Sequence, residues 1–235
     1  MGTVNPKMEG TPLIDAVPQS GPCPLKCRAC YFNLGFYRDT PFVPTAEEAE
    51  GKIVRVCSGN DANNQRELVI EATAHLSHKY YCTAIPTFGF GGPAVFTCNR
   101  DENQPPTLVG EDICTLGYDA RLVTDDLMSV RFRYTPWNQK HLKSAIKWYC
   151  ETLGTPLLIT PMRYYDVADI PEEHRDLYVF KKHLVHSYYM LKAEVDGSLR
   201  TVSWGHRLAY ICAGLCRDCL LCVHFYRQVQ ERWTR

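Results

Sequence analysis

The chain has no net charge: its 26 lysines and arginines match its 26 aspartates and glutamates. A balanced surface lacks the long-range field of a general nucleic-acid binder or of a protein held on an acidic membrane. No apolar run approaches the roughly 20 residues that a membrane helix needs. The segment 1–10 is polar and lacks the apolar core of a secretory signal. The eight histidines are spread along the chain without the spacing of metal ligands. The glycine-rich stretch 87–93 is followed by no lysine–serine pair and opens no helix, so it is a turn rather than a phosphate loop. Together these absences point to a cytoplasmic protein with no membrane partner. Hydrophobic residues at 45% and charged residues at 22% are ordinary for a globular chain, and 235 residues are enough for a full core.

What the sequence has in excess is cysteine, twelve in all. Disulfides are rare in a reducing compartment, so metal binding is the better account. Seven cysteines fall into two tight groups, one near each end, while Cys57, Cys82, Cys98, Cys114 and Cys150 stand singly in apolar contexts and read as small buried hydrophobes. The first group is Cys23-x3-Cys27-x2-Cys30, preceded by Gly21-Pro22 and followed by Tyr31-Phe32. Soft thiolates favour iron–sulfur clusters and zinc over hard cations. A closed zinc or ferredoxin-type site takes four protein ligands. Three thiolates with no fourth nearby suit a [4Fe-4S] cubane with one open iron, or a zinc knuckle that borrows a distant ligand.

Cys23-x3-Cys27-x2-Cys30 resembles the signature of the radical S-adenosylmethionine (radical SAM) enzymes, including small phage and bacterial members with a C-terminal cysteine cluster. The resemblance implies a [4Fe-4S] cluster on Cys23, Cys27 and Cys30 whose open iron chelates S-adenosylmethionine. It implies reductive cleavage to a 5'-deoxyadenosyl radical, hydrogen abstraction from a substrate it does not name, and a flavodoxin- or ferredoxin-type electron donor. Where many members carry an aromatic before the last cysteine this chain has Ala29, and Tyr31 is the nearby ring for the cofactor. Ser58-Gly59-Asn60-Asp61 stands about where the family's Gly-Gly-Glu-type segment holds the methionyl amine. Asn99 and Arg131 are further cofactor candidates, for ribose and carboxylate. Lys26 and Arg28 lie inside the cysteine loop, placed to balance an anionic cluster or to be solvated.

Apolar and β-branched runs predict strands at 11–17, 53–57, 80–85, 94–98, 127–134 and 156–160. Helical spacing predicts helices at 64–77 and 139–153, with a short helix start at 45–50. The connection between the third and fourth strands is too short for a crossover helix. Residues 127–134 alternate, with Met128, Val130, Phe132 and Tyr134 on one face and Ser129, Arg131 and Arg133 on the other. That second face is either the interior of a barrel or the wet side of an edge strand. Strands alternating with helices argue for a parallel α/β sheet, and the resemblance implies a partial (β/α)6 barrel over residues 1–168. Ligands of such sheets sit at the carboxyl ends of the strands.

Residues 169–235 read as a helical, cysteine-rich, metal-binding extension, with 178–192 as an amphipathic helix. Its cysteines are Cys212-x3-Cys216-x2-Cys219-x2-Cys222, four within eleven residues. Four ligands allow a closed site, and the compact spacing favours a second [4Fe-4S] cluster over a structural zinc. The basic, aromatic tail 223–235 could cover the sheet or meet a partner, and it leaves nucleic acid open. Two other readings remain: a non-catalytic zinc-binding adaptor for nucleic acid or protein, and an electron carrier with two clusters.

Overall fold

The computed structural model describes residues 8–30, 41–110, 125–182, 186–199, 206–212 and 216–233. The strands are β1 (Leu13–Ala16), β2 (Ile53–Val56), β3 (Lys79–Thr83), β4 (Ala94–Thr97), β5 (Leu127–Tyr134), β6 (Leu157–Pro161), β7 (Arg163–Tyr164), β8 (Tyr178–Lys182), β9 (His186–Met190) and β10 (Ala209–Ile211). The principal helices are α1 (Arg66–Ala72), α2 (Gln139–Ala145) and α3 (Leu221–Trp233).

β1, β2, β3, β4, β5, β6 and β10 form one seven-stranded sheet in that order, with every pair parallel. The order follows the chain without the reversal that defines a doubly wound sheet. The sheet stays open, because β1 and β10 are its two ends. The six expected strands are all present, shifted by a residue or two. The seventh, β10, escaped the sequence reading: three residues beside a cysteine group carry no visible period. β5 lies between β4 and β6, so the edge-strand alternative for 127–134 is excluded.

Three local expectations are corrected. First, Met128 does not share a face with Val130, Phe132 and Tyr134. The register slips between Ala94↔Leu127 and Val95↔Ser129, and such a bulge turns a side chain to the opposite face. Met128 packs instead with Leu13, Tyr80 and Val223. Second, 178–192 is not a helix. β8 and β9 pair antiparallel, and with β7 they make a separate three-stranded sheet. Aromatic and β-branched side chains favour a pleated surface, and the cross-strand pair Phe180↔Tyr188 brings its rings to 5.1 Å. Third, residues 45–50 form turns. Thr45 and Glu48 still exchange capping-box hydrogen bonds, at 2.8 and 3.2 Å.

The crossover from β3 to β4 is extended, ten residues without a helix. Arg66 of α1 holds it by donating to the carbonyls of Phe88 (2.6 Å) and Gly89 (2.9 Å). Phe90 is buried and stacks on Tyr81 at 4.8 Å. Gly89 and Gly91 supply the left-handed steps, with φ of 81° and 75°. α2 continues as a wider π turn, Ile146–Thr152, and Gly154 ends it at φ 64°.

Helices cover both faces of the sheet. On one, Val69 of α1 packs with Val54, Val56 and Tyr81, and Leu142 and Ala145 of α2 pack with Val130, Phe132 and Ile159. On the other, Val223, Phe225, Tyr226 and Val229 of α3 pack on Leu13, Ile53, Tyr80, Cys82, Val95 and Leu158. The tail therefore covers the sheet. Each such buried side chain contributes about 1.5–3 kcal/mol. Among the described residues no helix is long and apolar enough to cross a membrane.

Candidate metal centres

The first cysteine group leaves the carboxyl end of β1. Val17 exchanges backbone hydrogen bonds with Phe42, at 2.7 and 2.9 Å, and fixes where the loop starts. Buried Gln19 then reaches across to the end of β2. Its Nε2 donates to the carbonyls of Asp61 (2.9 Å) and Asn64 (3.0 Å), and it lies 3.0 Å from Cys57 Sγ. Lys26 and Ala29 sit in the left-handed region, at φ 46° and 49°. Each immediately precedes a cysteine, and Cys23, Cys27 and Cys30 lie near enough for their charges to act on one another. Cys23, Cys27 and Cys30 are all half-buried. Burial pushes the Cys23 thiol up, and the neighbouring backbone of Leu25 and Asp61 opposes the rise. Burial pushes Cys27 up to about 11, against the pull of the Arg133 and Arg100 guanidiniums.

Arg133 is the hub of this region. Its side chain donates to the carbonyl of Arg28 (2.7 Å), inside the cysteine loop, and to that of Arg100, after β4. It also lies 3.6 Å from Glu102 Oε2, a fully buried carboxylate. Tyr164 donates its hydroxyl to Glu102 Oε1 at 3.1 Å. Arg28 turns away from the thiols, donating to the Asp169 carbonyl at 2.8 Å. Loop, strand ends and small sheet thus meet on one guanidinium and one carboxylate. The sequence reading placed Arg133 on the correct face but left it out of the site, and it missed Glu102 and Gln19. The i, i+2 alternation with Arg131 was the available signal for Arg133. Nothing local in the sequence marks the other two.

The turn after β2 adjoins the first group, with Asp61 standing beside Cys23. The Asp61 carboxylate is turned inward. It accepts from Ala84 N (2.6 Å), Asn63 N (2.9 Å) and Thr83 Oγ1 (2.9 Å), and burial raises its pKa. Asn60 Oδ1 accepts from Asp61 N at 2.8 Å, while Asn60 Nδ2 is buried with no partner among the described residues. Ser58 and Gly59 complete the turn. Asn99 straps β4 to β5: its Nδ2 donates to Arg133 O (2.9 Å) and its Oδ1 accepts from Arg133 N (2.8 Å). Arg131 lies beside Cys212 and Cys222 rather than the first group. Tyr31 and Cys114 lie outside the described residues.

The second group is spread over three supports. Cys212 follows β10 and donates its backbone N–H to Ile159 O at 2.8 Å. Cys216 and Cys219 bound one helical turn, Cys216–Cys219. Leu220 is left-handed, at φ 49°, and Cys222 sits in the first turn of α3. Cys216 and Cys222 pack against the cluster that contains Tyr80, Cys82 and Phe225. Cys212 and Cys219 lie close enough to affect one another, which raises the Cys212 thiol and lowers that of Cys219. Burial raises Cys222, and Arg131 and Arg55 oppose it. Arg55 in turn forks onto Asp15, at 2.7 and 3.1 Å.

These donor sets suit anionic clusters. Each group combines thiols with two guanidiniums, Arg133 and Arg100 at the first and Arg131 and Arg55 at the second. Thr160 Oγ1, on the α3 side of β6, is buried without a hydrogen-bond partner among the described residues. Among those residues no three His, Cys, Asp or Glu side chains converge closely enough to hold one metal ion. The thiols are gathered but not closed on a point. A cubane spreads its ligand sulfurs farther apart than a single zinc with bonds of about 2.3 Å does. Cys57, Cys82, Cys98 and Cys150 are buried, as expected of small hydrophobes. A surface cavity of 460 Å³ lined by Glu47, Glu50, His75 and His78 opens at the amino ends of β2 and β3, away from both groups.

No protein-family model, no curated protein and no solved structure matches the chain.

Proposed function

We propose that the chain is a radical SAM enzyme, with a [4Fe-4S] cluster on Cys23, Cys27 and Cys30 and a second [4Fe-4S] cluster on Cys212, Cys216, Cys219 and Cys222. The observation that carries this reading is positional. The three-cysteine loop follows the first strand of a chain-ordered parallel sheet, at its carboxyl edge, with Cys23 beside the turn after the second strand, to which Gln19 ties the loop through the Asp61 carbonyl. On this reading the sheet is a partial (β/α)6 barrel to which β10 adds a seventh strand. When bound, the first cluster and S-adenosylmethionine supply a 5'-deoxyadenosyl radical, on one-electron reduction by a flavodoxin- or ferredoxin-type donor in the cytoplasm.

The chain's own residues then have distinct tasks. The backbone of Leu25 and Asp61, next to Cys23, favours its thiolate against the cost of burial. Exposed Arg100, beside Cys27, is the counter-charge within reach of a carboxylate. Asn60 Nδ2 is a buried donor available to the cofactor. Asp61 and Asn99 act by holding the rim, since their polar atoms are bound to neighbouring backbone. Tyr165, after β7, stands near Cys30 and walls the loop on the side of the small sheet.

The test is anaerobic. Protein reconstituted with iron and sulfide should be brown, and the electron paramagnetic resonance of its first cluster should change on adding S-adenosylmethionine. Under dithionite it should release 5'-deoxyadenosine, and Cys27→Ala should abolish both responses. Colourless protein holding stoichiometric zinc would overturn this in favour of the zinc-binding adaptor. Brown protein indifferent to S-adenosylmethionine would leave an electron carrier.

A further inference from the structure

We propose that β5 serves both cysteine groups, with Arg131 the counter-charge of a redox-active C-terminal centre and Arg133 that of the N-terminal one, so that the two centres stand side by side on one face of the sheet. The proposal deepens the reading above and takes its iron–sulfur content from it.

The register carries the argument. Arg133 pairs with Thr160, and Ile211 of β10 pairs with Ile159. Cys212 is the next residue and bonds Ile159 O, so it stands level with Thr160. Arg133, Thr160 and Cys212 therefore form one row across three adjacent strands. With strands ~4.8 Å apart, the Cα atoms of Arg133 and Cys212 are roughly 10 Å apart.

The row faces α3. Leu158 and Tyr210 lie on the α3 side, and Thr160 and Cys212 follow each by two residues. Val130, Phe132 and Tyr134 lie on the opposite face, so Arg131 and Arg133 point toward α3 as well. At the carboxyl end of this row, Arg133 donates to Arg28 O, between Cys27 and Cys30. One pleat back, Arg131 is in register with Leu158, whose neighbour Tyr210 belongs to the cluster against which Cys216 and Cys222 pack. A single strand thus presents one guanidinium to each group of thiols.

Arg131 and Arg133 have different structural duties. Arg133 ties three segments together, as shown by its bonds to Arg28, Arg100 and the Asn99 strap. Arg131 is the better probe. A fixed positive charge beside a cluster favours the reduced form, which carries one more negative charge.

The test uses the full chain, reconstituted anaerobically with iron and sulfide and titrated with dithionite under electron paramagnetic resonance. In Arg131→Gln the C-terminal centre should become harder to reduce by roughly tenfold, about 59 mV for one electron, while the N-terminal centre shifts less. Arg131→Lys should restore most of the potential, which separates charge from packing. In a Cys23→Ala, Cys27→Ala, Cys30→Ala chain, the reduced C-terminal centre should relax more slowly than in the unaltered chain, because its paramagnetic neighbour is gone. Zinc in place of a second iron–sulfur signal overturns the proposal. So does a C-terminal signal whose relaxation ignores the N-terminal cysteines, or a potential that Arg131→Gln leaves unmoved. Two coupled centres that ignore S-adenosylmethionine would sink the functional reading alone. A first cluster that responds to it beside an isolated second centre would sink this proposal alone.

Discussion

The two cysteine groups are held in opposite ways. The N-terminal thiols sit half-exposed on a loop at the carboxyl edge of the sheet. Polar contacts fix that loop: Gln19 to the end of β2, Arg133 to Arg28 O, Arg28 to Asp169 O. The C-terminal thiols are fixed by apolar packing. Cys216 and Cys222 lie against the cluster that α3 makes with the sheet, and Cys212 rides on a strand of it. On the proposed reading, a site that keeps one iron open would need a scaffold independent of the missing ligand. A closed site can take its geometry from the core. The contrast predicts that polar substitutions will loosen the first group and leave the second in place.

The largest effect should come from Arg133→Met. It leaves Glu102 buried with its closest cationic partner gone and frees the loop at Arg28. Breaking such a buried pair from one side costs about 3–5 kcal/mol. Urea unfolding should show that loss, and trypsin should cut faster at Lys26 and Arg28. Amide exchange in α3 should stay as slow as before, at denaturant levels where the fold persists. Adding Glu102→Gln to Arg133→Met should recover part of the stability, since no uncompensated carboxylate then remains. If α3 opens together with the loop, the two groups are one cooperative unit and the contrast fails.

How much of this was legible in advance follows the same division. The strands of the sheet were readable because β-branched runs such as Ile53–Val56 announce themselves locally. Both cysteine groups were readable because their spacing is local as well. What escaped depends on pairing between distant segments. β10 is a strand only because β6 offers it an edge. Residues 178–192 show a helix-like apolar pattern, yet pairing of Phe180 with Tyr188 makes them a sheet. Arg131 was read as a cofactor residue from its place on β5. Its position beside Cys212 and Cys222 is set by the return of the chain more than 70 residues later. Glu102 lies in a turn that no period marks, and only the fold surrounds it with Arg133 and Tyr164.

Alkaline pH should separate the core thiols Cys82 and Cys150 from Cys23 in the loop, though not from Cys27, which burial also pushes up to about 11. Burial pushes Cys82, under the C-terminal group, up to about 11 and Cys150, behind β6, up to about 12. Both folded-state values lie above the unfolded value of about 8.5. Their contribution to stability is therefore complete below pH ~8.5. It is lost as pH rises toward 11 and 12, at no more than about 1.4 kcal/mol per pH unit for each thiol. Urea unfolding of metal-free protein between pH 8 and 11 should show the decline, and Cys82→Ala and Cys150→Ala should each flatten it. Cys23→Ala should flatten it less, because a half-exposed thiol is desolvated less. Equal flattening by all three would mean that the Cys23 site is as dry as the core.

The smallest effect tests a feature that the two groups share. Ala29 precedes Cys30 at φ 49°, and Leu220 follows Cys219 at φ 49°. A side chain in this region costs about 1–2 kcal/mol, which glycine avoids while losing some of the gain to its freer unfolded chain. Ala29→Gly should therefore stabilise the protein by up to about 1 kcal/mol, less what is lost with a methyl packed against the core, read as a rise in the urea midpoint at unchanged slope. Leu220→Gly carries the same backbone relief but also removes a partly exposed apolar side chain at the start of α3, so its net gain should be smaller or absent. If both gain equally, Leu220 contributes nothing to the packing of α3. If neither gains, the left-handed steps are held by contacts of their own side chains, and Lys26→Gly would then be expected to destabilise the loop.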